Sequence, residues 1–129
     1  MKILGIGVDI VENKRFKKAT KNKKLIKRLF TLSEIKNSSL IKDKSSFFSK
    51  KFAAKESFSK ALGTGFRKNL NFKDIEIKNN KKGKPLICLN KSTLTFLKKK
   101  LNVKSFKINL SLSDEKIYSI AYVIIEKHD

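Results

Sequence analysis

In the stretch KFAAKESFSKALGTG, residues 51–65, a single carboxylate, Glu56, stands among Lys51, Lys55 and Lys60. Glu56, Lys60 and Gly63 fall at i, i+4 and i+7, the spacing of one helical face. The run ends on Gly63-Thr64-Gly65, suited to a helix stop with a left-handed residue. A second carboxylate, Asp9, follows Val8 in GIGVDIVE, residues 5–12. Two hard oxygen donors on separate elements suit Mg²⁺, which takes one or two carboxylates and fills its octahedron with water and substrate phosphate. A lysine one helical turn away meets phosphate oxygens as a point charge. Glycine turns at Gly63–Gly65 and Gly83-Lys84-Pro85 let backbone N–H groups approach phosphate closely. The set is appropriate for phosphoryl transfer, where catalysis is mostly positioning and charge stabilisation.

Each residue also has a plainer reading. Asp9 at a strand end caps a helix starting at Ile10 or Val11, which local reasoning favours. Glu56 makes an i,i+4 ion pair with Lys60 on a wet face. Only the pair of carboxylates together points to a metal. No rival constellation stands beside it. His128, the only histidine, lies one residue from the C-terminus, so no Ser-His-Asp triad and no HExxH can form. Cys88 sits in an apolar strand segment as a structural thiol. The GIG at residues 5–7 lacks the third glycine of a dinucleotide fingerprint.

The elements that position these residues are legible from periodicity. Lys2–Asp9 suits a buried strand with close backbone approach at Gly5 and Gly7. Short helices are expected over 11–16 and 25–30, and Thr31-Leu-Ser-Glu34 has capping-box spacing. Residues 37–46 are polar and read as a loop. The strongest helix covers about 46–62, with Phe47, Ala54, Phe58, Ala61 and Leu62 as its apolar stripe. A hairpin over 75–78 and 86–89 turns around NNKKGKP, and a helix follows over 92–101. Strand 106–113 alternates, with Phe106, Ile108, Leu110 and Leu112 inward, whereas 117–126 is apolar on both faces and belongs at a sheet centre or an interface. Helices and strands mix without regular alternation, so the fold class is α+β, with a mostly antiparallel sheet packed on a long central helix.

Composition sets the frame. A chain of 129 residues with 40% hydrophobic residues and ten phenylalanines is one domain, residues 1–129, able to bury its own core. No segment reaches the roughly 20 apolar residues of a membrane span, and the opening apolar run is too short for a signal peptide. One cysteine excludes an internal disulfide, so a cytoplasmic protein is expected. The net charge of +21 comes almost wholly from lysine, with Arg15, Arg28 and Arg67 the only arginines. Compositional bias explains such a lysine excess as readily as a ligand does, yet the field favours acidic partners either way.

On these residues the sequence resembles the holo-[acyl-carrier-protein] synthase family, the small 4′-phosphopantetheinyl transferases. The match runs nearly end to end through GIGVDIVE with Arg15 beyond it, KFAAKESFSKALGTG, GKP at 83–85 and SLSDEKIYSIAYVIIE at 111–126. The resemblance implies transfer of the phosphopantetheine arm of coenzyme A to a serine of apo acyl carrier protein, releasing adenosine 3′,5′-bisphosphate. It implies that Asp9 and Glu56 hold Mg²⁺ and that Lys60 contacts phosphate as a catalytic residue. By the same resemblance, Ser59, Gly63, Gly83, Lys84 and Pro85 are expected to line the coenzyme A site and Arg15 to receive the carrier protein. The serine proton goes to Asp9 or to a metal-polarised water. The family commonly assembles as a trimer with sites between subunits, and the two-faced strand 117–125 suits that. Some relatives carry a histidine where this chain reads Ser113-Asp114-Glu115. The main competing reading, a non-catalytic nucleic-acid-binding protein, predicts grouped basic and aromatic side chains with Asp9 and Glu56 far apart. A relative that has lost activity is disfavoured by the intact Asp9, Glu56 and Lys60. The reading kept is an enzyme acting without nucleic acid or membrane.

Overall fold

The computed structural model describes residues 1–66 and 70–128; Arg67 lies outside them. In chain order the elements are β1 (Lys2–Glu12), α1 (Arg15–Ala19), α2 (Lys23–Leu29), α3 (Leu32–Ser38) and α4 (Lys44–Leu62). A 3₁₀ turn (Phe72–Asp74), β2 (Ile75–Asn79), β3 (Pro85–Leu89), α5 (Lys91–Leu101), β4 (Phe106–Asp114) and β5 (Tyr118–Lys127) follow. The class is α+β, as the mixed pattern predicts. The main sheet is antiparallel in the order β1-β5-β4, and β2-β3 form a separate hairpin. No helix among the described residues is long and apolar enough to cross a membrane.

One face of the main sheet packs on α4. Val11, Ala121, Val123 and Ile125 are sealed there, with Phe58, Ala54, Ala61 and Leu62 of the helix opposite. Phe106, Ile108, Leu110 and Leu112 of β4 join this core, so the alternation in that strand is borne out. The two-faced strand is β5, and it is central.

The glycines of β1 set how close strand and helix come. A Cβ on Gly5 would lie 1.9 Å from the Ala61 carbonyl oxygen, and one on Gly7 would lie 2.0 Å from that of Ser57. Only glycine allows this approach, and it brings the next inward residue of β1, Asp9, against the same helix.

Four expectations fail. The strand does not stop at Asp9: Ile10, Val11 and Glu12 continue it against Ile120, Ser119 and Tyr118 of β5. The helix expected over 11–16 is therefore replaced by strand, a turn at Asn13-Lys14, and α1 from Arg15. Asn13 enforces that turn, because its Nδ2 donates to the carbonyls of Glu115 and Lys116 while its Oδ1 accepts from Ser119 Oγ. For the same reason Asp9 caps no helix; it pairs with Ala121 within the strand. The loop expected over 37–46 is shorter, since α3 runs to Ser38 and Asp43 caps α4 from Lys44.

Other local expectations hold. Thr31 and Glu34 form the reciprocal capping box, and Gly63 ends α4 with φ 77°. The hairpin turns where NNKKGKP predicts, with Asn80 Oδ1 accepting from the amides of Lys82 and Lys84.

Candidate active site

α4 is buried around most of its circumference, including Lys51, Lys55, Ser57 and Ser59. What remains open, wholly or in part, is a strip that starts at Lys44 and Ser46 and runs through Phe47, Lys50, Phe52, Glu56 and Lys60. Glu56 and Lys60 thus reach the surface at the one place where β1 is pressed on the helix by its glycines, and Asp9 arrives there from the strand.

The predicted Glu56–Lys60 ion pair is absent. Lys60 Nζ instead donates to Asp9 Oδ1 at 2.9 Å and to the Val8 carbonyl at 3.0 Å. The reason is geometric: the close strand offers a carboxylate and a carbonyl together, which a neighbour one turn back cannot match. The Glu56 carboxylate accepts no hydrogen bond from any described residue. Burial pushes its pKa up, and the nearby charge of Asp9 pushes it further; Lys60 and Arg15 oppose this. Asp9 and Glu56 are therefore close enough to repel each other, contrary to what the nucleic-acid reading requires.

Two mutually repelling carboxylates with unused lone pairs are a donor set that fits a hard divalent cation. No group of three or more histidine, cysteine, aspartate or glutamate side chains suited to a metal occurs among the described residues. Water and substrate oxygens would then complete the coordination, which is the way Mg²⁺ prefers to be held.

The other predicted residues fall in distinct places. Ser59 is buried, and its hydroxyl donates to the Glu56 carbonyl, steadying that turn of helix. Gly63 stands at the open C-terminal end of α4. Gly83, Lys84 and Pro85 line a cleft of about 370 Å³ with Lys50, Asn79, Leu110, Ser111, Leu112 and Asp114. Asp9, Glu56 and Lys60 do not line it. Asp114, in the segment where some relatives have histidine, pairs with Lys50 at 3.8 Å and accepts from Ser46 Oγ.

Arg15 begins α1 and lies over the Phe52 ring at 5.7 Å. It borders an apolar cleft of about 550 Å³ walled by Phe16, Leu25, Leu29, Phe52 and Phe72, with Arg28 on its rim. Sequence reasoning left Arg28 without a role, placed only the Glu56–Lys60 pair on a wet face, and did not foresee the burial of Lys51 and Lys55. The signal for the buried lysines was present: a helix with small or apolar residues on nearly every side has no wet face wide enough for all of them.

The sequence pattern of the 4′-phosphopantetheinyl transferase superfamily matches residues 5–121. A holo-[acyl-carrier-protein] synthase of Pelagibacter ubique is 58% identical over 98% of this chain and 99% of its own length. One from Clostridium tetani is 47% identical over 96% of each chain. Among solved structures, the holo-[acyl-carrier-protein] synthase of Neisseria meningitidis superposes with a TM-score of 0.86 at 33% identity, covering 97% of this chain and 99% of that one. The Helicobacter pylori enzyme in complex with coenzyme A gives 0.77 at 38% identity, covering 94% and 99%. Sequence pattern, near-complete relatives and fold agree, and the chain belongs to the 4′-phosphopantetheinyl transferase superfamily as a transferase.

Proposed function

We propose that this protein transfers the 4′-phosphopantetheine group of coenzyme A to a serine hydroxyl of apo acyl carrier protein, with Mg²⁺ held by Asp9 and Glu56. The observation that carries the reading is the meeting of Asp9, Glu56 and Lys60 where Gly5 and Gly7 press β1 onto α4. Relatives sharing this chain's full length are named holo-[acyl-carrier-protein] synthases, and the Helicobacter pylori structure holds coenzyme A.

In the reaction the serine Oγ bonds to the β-phosphorus, the bond from that phosphorus to the bridging oxygen breaks, and adenosine 3′,5′-bisphosphate leaves with that oxygen. The serine proton is released. Mg²⁺, if held by Asp9 and Glu56, would draw charge from the diphosphate and so lower the barrier to in-line attack. Lys60 carries a flexible ammonium on the open strip of α4 and turns it from Asp9 to the diphosphate oxygens. The Gly83-Lys84-Pro85 turn supplies backbone and a lysine for the nucleotide end. Arg15 and Arg28 flank the apolar cleft beside Glu56, a surface that suits an acidic helix with exposed hydrophobic side chains.

Self-association into a trimer belongs to this proposal. Ile6, Val8 and Ile10 of β1 and Tyr118, Ile120 and Tyr122 of β5 form an exposed apolar face on the sheet side away from α4. A face of this kind is expected at an interface. Because Gly83–Pro85 line a cleft apart from Asp9 and Glu56, a second copy bringing that turn to the carboxylates would complete the site.

The test incubates the protein with apo acyl carrier protein and coenzyme A and reads the carrier's mass. Gain of one phosphopantetheine with Mg²⁺ and none with a chelator is expected. No gain with Mg²⁺ overturns the reaction; an equal gain under chelation overturns the metal assignment alone. Sedimentation at assay concentration tests the trimer, and a monomer that is fully active overturns it.

A further inference from the structure

The interior of α4 holds a polar node that no step of the proposed reaction uses. Lys55 is 0% exposed, yet all three of its ammonium protons are placed. Nζ donates to Glu34 Oε1 at 2.6 Å, the Leu29 carbonyl at 2.9 Å and the Phe72 carbonyl at 3.1 Å. Glu34, 1% exposed, accepts from the Thr31 amide through Oε1 and from the Ile77 amide through Oε2 at 2.8 Å. Lys51 Nζ completes the arrangement by donating to the Ile77 carbonyl at 3.0 Å.

A buried ion pair is a costly way to gain stability, because an apolar pair of similar volume is often as good. Its value lies in directionality. Leu29 and Phe72 both wall the apolar cleft beside Arg15, and both give their carbonyls to Lys55. Ile77 belongs to β2, which carries the hairpin turn Gly83-Lys84-Pro85, and its amide and carbonyl are taken by Glu34 and Lys51. Glu56 is the next residue after Lys55. One node therefore fixes the cleft walls and the hairpin relative to the carboxylate.

We infer that Lys55 and Glu34 are positioning residues for phosphopantetheinyl transfer, setting the carrier cleft and the Gly83–Pro85 turn against Glu56. The inference rests on the function proposed above. Misplacing reacting groups by about 1 Å costs on the order of a hundredfold in rate, so loss of the node should appear in the kinetics of the folded protein and not in its stability alone.

The test compares wild type with the double variant Glu34→Gln/Lys55→Met, which removes both charges together and keeps an amide oxygen as acceptor. Circular dichroism and thermal melting establish the folded fraction, and kcat and KM for carrier are measured well below the melting temperature. The expected result is a folded protein whose kcat falls about tenfold to a hundredfold per folded molecule, with KM for carrier raised. Wild-type kcat and KM in the folded double variant would reduce the node to a stabilising contact and overturn the inference. Should that variant not fold, Glu34→Gln alone keeps Lys55 on its two carbonyls while leaving one of two amides without its acceptor. Faster hydrogen exchange at the Ile77 amide together with a several-fold loss of kcat is then expected; faster exchange with unchanged kinetics overturns it. Absence of transfer by wild type would overturn the reaction and this role together, whereas unaltered variants overturn only the role.

Discussion

Lys55 and Glu56 are consecutive residues of one helix, yet their side chains meet opposite surroundings. The ammonium of Lys55 is sealed and saturated, with a carboxylate and two carbonyls around it. The carboxylate of Glu56 is half-buried, beside a like charge, with no donor among the described residues. Burial opposes ionisation of both: it pulls the Lys55 amine down and pushes the Glu56 carboxyl up. Glu34 counters that pull on Lys55. For Glu56, Asp9 adds to the push, and only Lys60 and Arg15 counter it. Polar groups that hold the fold together have their valencies filled from within, and a group left with unmet lone pairs in a half-dry place is set up to meet something from outside.

That contrast can be broken from either side. Lys55→Met should cost the most stability, on the order of 3–5 kcal/mol, because it leaves the Glu34 carboxylate buried without its cation. The midpoint of urea unfolding measures this; a loss near that of an ordinary surface pair would erase the distinction between the two regions. Gly7→Ala should come next, about 1–3 kcal/mol or more, since its Cβ would lie 2.0 Å from the Ser57 carbonyl oxygen. Strand and helix would have to part, and Asp9 with them, so transfer should fall together with the melting temperature. Retained transfer in a destabilised Gly7→Ala protein would detach the close packing from the site. Lys60→Met should cost only about 0–1 kcal/mol, because the Lys60 side chain in that ion pair is 53% exposed. Its effect should appear as lost carrier modification, read by mass, and undiminished turnover would leave Lys60 without a role on phosphate.

The same contrast explains what was legible beforehand. The long helix, its glycine stop, the hairpin and the central strand follow from periodicities that the fold keeps. Asp9 and Glu56 could be named from their chemistry, and the glycines of GIG already implied a close neighbour. The end of β1 was misread because the Val11–Phe16 pattern suits a helix locally, whereas the partner strand β5 and the Asn13 turn decide otherwise through contacts about a hundred residues away. The pairing of Lys60 was misread for the same reason, as the preferred acceptor lies on β1. The pattern of α4 implied that some of its lysines are buried, but the partner of Lys55 needed knowledge that Glu34, with its own capping role, comes to the far side of α4. Neighbours in sequence give local propensity, and these three cases were settled by partners distant in sequence.

Glu56→Gln sharpens the comparison most, because its two effects have opposite signs. Transfer should be abolished, since a neutral amide is a poor ligand for a divalent cation and the pair of carboxylates is broken. Stability of the metal-free protein should rise slightly. The folded pKa of Glu56 lies above its usual value, so the unfolded chain gives up this proton at lower pH than the folded one. Below the unfolded value both states hold the proton and the residue contributes nothing. As pH rises from there through the raised folded pKa, wild type loses stability, and above it the loss is constant. The glutamine variant has no such loss, so its advantage in melting temperature should be full above the raised pKa and vanish as pH falls to the ordinary carboxylate range. Paired melting curves across acid pH, with chelator present, measure it. An advantage that grows toward low pH, or a variant less stable than wild type at neutral pH, would mean that Glu56 is held by the fold as firmly as Lys55 is.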